Sequence, residues 1–248
     1  KEEIKKAVKS LAAKKAQDVY GISKEHITSL SDESQTTMLL LIGDMVRDPK
    51  KYSSTMNNLS VASNLYKGKG KPRDQVSSYR KISIGTLMSK AADTIMIMAP
   101  ITQHITKKSQ QGTQFGFTEG PNYLLCETIV RRRKNRGKKT YILAVDVRNA
   151  FSTTAREAQL YELKQAGETD GIWLYSDATY YNTWTVLKQG SEYSILIQER
   201  RGSRQGGKKS AVDYKVYNKP LHVMLENSNL GVQEYGLKLG SQMLRTMV

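Results

Sequence analysis

Apolar residues recur at helical spacing from the start of the chain. Ile4, Val8, Leu11 and Ala12 share one face of a stretch from residue 2 to about 16, with lysines around the rest, and Gly21 stops it. A second helical run, about Asp32 to Arg47, is apolar at Met38, Leu39, Leu41, Ile42, Met45 and Val46 and ends before Asp48-Pro49. The pattern then changes to strands at Leu59–Tyr66 and Tyr79–Ile84. The glycine-rich basic segment Lys67 to Asp74 between them predicts a hairpin with a positively charged tip. Thr86 to about Ile105 reads as an unusually apolar, largely buried helix, and Gly120-Pro121 opens another that runs towards Arg136. Tyr141 to Asp146 is a near-continuous apolar run, the pattern of a strand buried on both faces, and it closes on a carboxylate. Beyond Phe151 the spacing predicts helices at about 153–166 and 170–180, then strands at about 183–189 and 193–199 joined through Gly190. A basic turn from Arg200 to Gly207 and a helix at about 208–226 follow. Helices, a hairpin, more helices and a strand–helix–strand core make an α+β layout, and a composition shift near residue 139 divides a helical part from a sheet-centred one.

Length and composition narrow the function classes. The 248 residues suit one large domain or two small ones, and 38% hydrophobic with 25% charged residues is a globular composition. Lysine and arginine number 39 against 23 acids, a net charge of +16 that points to a polyanionic partner. A single cysteine, Cys126, and three scattered histidines exclude a disulfide scaffold and a zinc cluster. No apolar run approaches the roughly 18 residues of a membrane helix, and the basic N-terminus has no signal-peptide core, so an intracellular, reducing compartment and no membrane partner are expected. The start on Lys1 and the apolar close at Val248 are what a piece of a longer protein would show.

Four places carry candidate chemistry. Asp146 sits at the end of its apolar run, where a carboxylate can meet a divalent cation, and Phe151 follows five residues on, the spacing that places a ring beneath a nucleotide sugar. The alternative is that Asp146 caps a helix and Phe151 is core. Arg201-Gly-Ser-Arg204-Gln205-Gly206-Gly207 combines glycines that admit a close ligand with arginines suited to phosphates. Its glycine-x4-glycine-lysine spacing also fits a P-loop, but Lys209 stands where that motif needs Ser or Thr. Lys67, Lys69 and Arg80 of the hairpin are placed to clamp a triphosphate, and Arg131, Arg132 and Arg133 open a run with seven basic residues in nine, suited to sequence-independent phosphate contact. Each basic run also fits a solvated surface, and the last fits a helix end where cations suit the dipole.

Taken in order, these segments resemble the reverse transcriptase of non-LTR retrotransposons (long interspersed elements), from about residue 12 onwards. Lys15 to Ile22 is similar to that family's first fingers segment. Leu65 to Gly70 and Tyr79 to Ser83, followed by Lys90, are similar to its fingertip motifs, and Gln114-Phe115-Gly116-Phe117 to its glutamine-x-glycine-phenylalanine motif. Ala144 to Phe151 resembles its first palm motif, Arg201 to Gly207 its arginine-glycine-x-arginine-glutamine-glycine-glycine motif, and Tyr214 to Tyr217 follows as in the family. The resemblance implies a polymerase right-hand fold: fingers over residues 1–139 with a basic hairpin, part of a palm with an antiparallel sheet over 140–248, and no thumb. It implies RNA-directed DNA synthesis by two-metal nucleotidyl transfer, with Asp146 and the Val147 carbonyl on two magnesium ions (manganese being the alternative). Phe151 would be the gate against a ribose 2′-hydroxyl. Arg80, Lys67 and Lys69 would hold the triphosphate, Gln205 and Gly206 would line the nucleotide pocket, and Arg201 and Arg204, with Arg131, Arg132 and Arg133, would touch the template.

The implied partners are template RNA, a DNA primer, deoxynucleoside triphosphates and the rest of a polyprotein with endonuclease and thumb, working in nucleus and cytoplasm. Two departures stand out. Lys208-Lys209 replaces the usual proline or leucine, as a surface variation or as wear in a decaying copy, and the aspartate pair of the next palm motif is absent. A fragment without synthesis of its own is therefore expected. The rival is a non-catalytic RNA-binding module derived from a polymerase. A viral RNA-dependent RNA polymerase fits less well, since it would carry a second aspartate at position 151 and a serine-glycine motif near 205.

Overall fold

A computed structural model describes residues 2–52, 57–68, 70–109, 122–142, 146–147, 149–204, 206–228, 232–234 and 237–239. Its first layer is helical: α1 (Glu2–Lys9), α2 (Lys24–Thr28), α3 (Asp32–Arg47) and α4 (Pro49–Tyr52). The lysine-rich α1 is shorter than its apolar spacing predicts. It ends at Lys9 because Leu11 turns into the core and the Lys24 ammonium donates to the carbonyls of Lys9 (2.6 Å) and Leu11 (2.7 Å), serving as a C-cap. The Ser31 hydroxyl caps α3, accepting from the Ser34 N–H, and Pro49 separates α3 from α4.

Strands β1 (Leu59–Tyr66) and β2 (Tyr79–Gly85) form the expected antiparallel hairpin, in register from Ser60 opposite Gly85 to Tyr66 opposite Tyr79. The apolar run after β2 is two helices, α5 (Leu87–Met98) and α6 (Pro100–Ser109), because Pro100 cannot continue the first. Further along lie α7 (Asn122–Asn135), α8 (Ala150–Thr153), α9 (Arg156–Gln165) and α10 (Asp170–Tyr181). They are followed by β3 (Trp184–Gln189), β4 (Glu192–Tyr193), β5 (Ile197–Gln198), α11 (Lys208–Tyr217) and α12 (Lys219–Asn227). The last expected helix is thus also divided, at Asn218. A separate small hairpin pairs β6 (Val232–Glu234) with β7 (Leu237–Leu239).

The α+β class holds, but the main sheet is mixed where the resemblance implied an antiparallel one. Its order is β2-β1-β3-β4, with β5 also on β3, and β1 and β3 run parallel from Leu59 beside Trp184 to Ser63 beside Lys188. A long helical crossover between those strands allows the same direction of travel. The apolar run at 141–146 is the second correction. Tyr141 is 91% and Ile142 72% exposed, and neither joins a ladder, so at these positions the buried strand is not formed. An apolar run is buried as a strand only where neighbours supply hydrogen bonds on its edges, and the side of β1 away from β2 is taken by β3. Residues 143–145 lie outside the described residues.

The core is divided among three clusters. Val8, Leu11, Ile27, Leu39, Ile42, Leu87 and Ala91 join α1, α2, α3 and α5. Ala92 and Met96 meet Tyr175, and Ile105, Leu163 and Val216 join α6, α9 and α11. No helix among the described residues is long and apolar enough to cross a membrane.

Candidate nucleic-acid interface

The loop from Glu199 to Gly207 is pressed between β2, α8 and α9. The Gly202 N–H donates to the Thr154 carbonyl (2.9 Å) and the Ser203 N–H to the Phe151 carbonyl (2.7 Å). Gly202 has φ +82°, and a Cβ there would lie 2.6 Å from the Ser152 oxygen. Gly206 has φ +111°, and a Cβ there would fall on the Ser83 carbonyl of β2. These glycines therefore admit the protein's own backbone, where the sequence suggested a ligand. The P-loop alternative fails on the same ground, since the carbonyls of 151–152 close off Gly202.

Arg156 holds the loop from inside. Only 7% exposed, its guanidinium donates to the carbonyls of Gly202 (2.8 Å) and Glu199 (2.6 Å), and also to those of Tyr180 and Arg201. One planar fork thereby fixes α10 and the loop together. Lys81 of β2 pairs with Glu199 at the loop's start. Nothing in the sequence marks Arg156 for this role, because an arginine at a helix start followed by Glu157 reads as surface.

A buried ionic cluster anchors the other end. Lys209, 3% exposed, donates to Glu168 (2.6 Å), Asp213 (2.6 Å) and the Ser176 hydroxyl (2.9 Å). The Tyr180 hydroxyl donates to Asp213 (2.7 Å), and that of Tyr175 to Asp93 (2.9 Å). Burial raises the carboxyls of Glu168 and Asp93 above the ordinary range and lifts both tyrosines well above theirs. For Lys209 burial acts downward, but Asp213 and Glu168 reverse it and leave the ammonium raised. Lys209 is thus not a surface variation; it is the centre of a buried ion cluster with Glu168 and Asp213. The Lys209-x3-Asp213 spacing on one helix was its legible sign; Glu168 had none.

The other candidate residues take varied positions. Arg204 is half-buried: one guanidinium nitrogen donates to the Asn58 carbonyl (2.9 Å), another lies against Gly85, and its Nε is buried without an acceptor. Phe151 is half-buried with its ring 4.9 Å from that of Tyr214. Arg201 and Gly206 are exposed. In the hairpin, Arg80 stands opposite Leu65, and Lys67 reaches back to the Ser77 carbonyl (2.9 Å). The Tyr66 and Tyr79 rings lie 5.6 Å apart, with the Arg73 guanidinium 5.1 Å from the Tyr66 ring. On α7, Arg131 pairs with Glu127 (2.7 Å), Arg132 is exposed, and Arg133 donates to the Thr140 hydroxyl (3.0 Å). Lys69, Gln205 and the Gln114–Phe117 motif lie outside the described residues.

Asp146 and Val147 are exposed, and among the described residues no group of three His, Cys, Asp or Glu side chains is placed to hold a metal ion. The donors present, one carboxylate and one carbonyl, do not make up a two-magnesium site. The structure does bring together the hairpin strand 79–85, the Phe151 turn and the Arg201–Gly207 loop, which are far apart in sequence.

No protein-family model matches the chain. Over 110 residues, 44% of its length, it is 26% identical to the retrovirus-related Pol polyprotein from type-1 retrotransposable element R2 of Popillia japonica, and the match spans 18% of that protein.

Proposed function

We propose that this chain is the fingers and part of the palm of a non-LTR retrotransposon reverse transcriptase, and that what it does by itself is bind single-stranded RNA. The partial likeness to a retrotransposon Pol polyprotein supports the first statement. One geometric observation carries the second. Gly206 on Ser83 and Gly202 on residues 151–152 lock three separated motifs into one unit, and the basic hairpin projects from its edge. That hairpin sets the Arg73 guanidinium beside the ring of Tyr66, with Tyr79 against it, a combination of cation and aromatic rings suited to a phosphate backbone and stacked bases. In the complete polymerase Asp146 and Val147 would belong to the magnesium site, Phe151 to the sugar gate, and Arg80 and Lys67 to the triphosphate clamp.

The second reading, a binding module without catalysis, is favoured by Asp146 belonging to no group of three side chains placed to hold a metal among the described residues. Fluorescence anisotropy of a labelled single-stranded RNA across a salt series tests the binding. The logarithm of the affinity should fall linearly with the logarithm of salt, by about 0.7 for each phosphate contacted, while Asp146→Ala leaves binding unchanged. Absent or salt-independent binding refutes the proposal. Primer extension by the unmodified chain with magnesium should be nil, and any product would show that the metal site is complete after all.

A further inference from the structure

Two ammonium groups beside the glycine loop have no use in the packing. Lys90, in the second turn of α5, and Lys208, the first residue of α11, are both half-buried, and neither makes an ion pair or side-chain hydrogen bond among the described residues. Arg204 joins them. Its guanidinium lies against Gly85, directly before the start of α5, and its Nε has no acceptor. The two helices are tied at this point by the Lys209 N–H, which faces Asp93 of α5 (3.4 Å), one turn on from Lys90. Burial lowers both lysines; Asp18 offsets part of this for Lys90 and Asp93 part of it for Lys208, while the charges of Arg204 and Lys208 lower Lys90 further.

The nearest carboxylates, buried Asp18 and half-buried Asp93, are already engaged. Asp18 accepts from the N–H groups of Tyr20, Ile22 and Leu87, and Asp93 from Tyr175 and Lys209. They oppose the cations without pairing them. The first turn of α11, a ten-residue helix with no side-chain cap, adds its positive end to the same place. Cations held partly out of water and close to one another destabilise the free chain, and an anion arriving among them relieves both effects.

We infer that Lys90, Arg204 and Lys208 form a site for one phosphate group of the bound RNA backbone. The inference rests on the RNA-binding reading above, and it gives the lysine at position 208, where the resembling family has another residue, a role in holding nucleic acid. Lys90→Gln and Lys208→Gln, alone and together, are compared with the unmodified chain by anisotropy with single-stranded RNA. Each should weaken binding and reduce the salt slope by about 0.7, while the melting temperature stays level or rises. Lys164→Gln, a cation already engaged by Asp170, should leave the slope as it was.

A double variant with unchanged affinity and slope overturns the site. So does weakened binding accompanied by a lower melting temperature, which would mark the lysines as structural. If the unmodified chain binds no RNA, the functional reading falls with the RNA site. Inorganic phosphate raising the melting temperature of the unmodified chain, but not of the double variant, would then retain the cluster as an oxyanion site alone.

Discussion

Two loops of this protein use the same residue types to opposite ends. Lys67–Asp74 and Arg200–Gly207 both interleave cations with glycines. In the first, Gly68 and Gly70 have positive φ and nothing within 4 Å of where a Cβ would stand. The hairpin holds that loop with its own atoms, through Tyr66 on the Lys71 carbonyl and Tyr79 on that of Arg73 (2.8 Å). In the second, Gly202 and Gly206 are closed in by carbonyls, while Arg156 and Lys209 hold the ends from inside. Glycine permits a turn in one loop and a backbone contact in the other. Arg200 and Arg201 of the second loop face solvent like Lys71 and Arg73 of the first, but Arg204 is half-buried and the struts Arg156 and Lys209, which flank the loop, are buried, so net charge overstates the positive surface open to a partner.

Four substitutions sharpen the contrast, in descending effect on stability. Lys209→Met leaves Glu168 and Asp213 buried without their counter-charge and should cost about 4 kcal/mol in urea unfolding. The same cluster sets an alkaline limit. Because the folded Lys209 is raised above its ordinary 10.5, its contribution is complete below that pH and is lost as pH rises through the folded value. In Lys209→Met that part of the alkaline loss should disappear from a melting series.

Next, Gly206→Ala sets a Cβ on the Ser83 carbonyl and should cost about 3 kcal/mol, with RNA binding falling as the loop separates from β2. A Gly206→Ala chain melting like the unmodified one would show that the loop is not clamped as described. Smaller still, Gly68→Ala meets no neighbour and should cost only about 1 kcal/mol, the penalty of a left-handed backbone. Arg73→Gln in the same loop should leave stability almost untouched yet weaken RNA binding. A large loss of stability from Gly68→Ala would end the distinction between the two loops.

Much of the local structure was legible. The span of α3, both strands of the hairpin and the start of α10 follow from apolar spacing, capping residues and turn glycines, all of which act within a few residues. The failures have one source. The run at 141–146 has the composition of a central strand, but Tyr141 and Ile142 find no ladder. The run at 86–105 has the apolar face of one helix but contains Pro100. At the candidate site, the segments were identifiable from their residue types and Asp213 from its spacing to Lys209, whereas Arg156 and Glu168 were not. Their partners lie on other elements, tens of residues away.

Taken alone, then, the sequence determined the span of α3, the strands of the hairpin and the start of α10, the strong positive charge, and an order of motifs that resembles that of a non-LTR retrotransposon reverse transcriptase. Tertiary structure decided which way the sheet runs, which glycines touch backbone and which cations are spent on the core. The division is physical. Backbone propensity and turn chemistry are local properties of the chain. Whether a charge is solvated, paired or left waiting for an anion depends on what the rest of the fold packs around it.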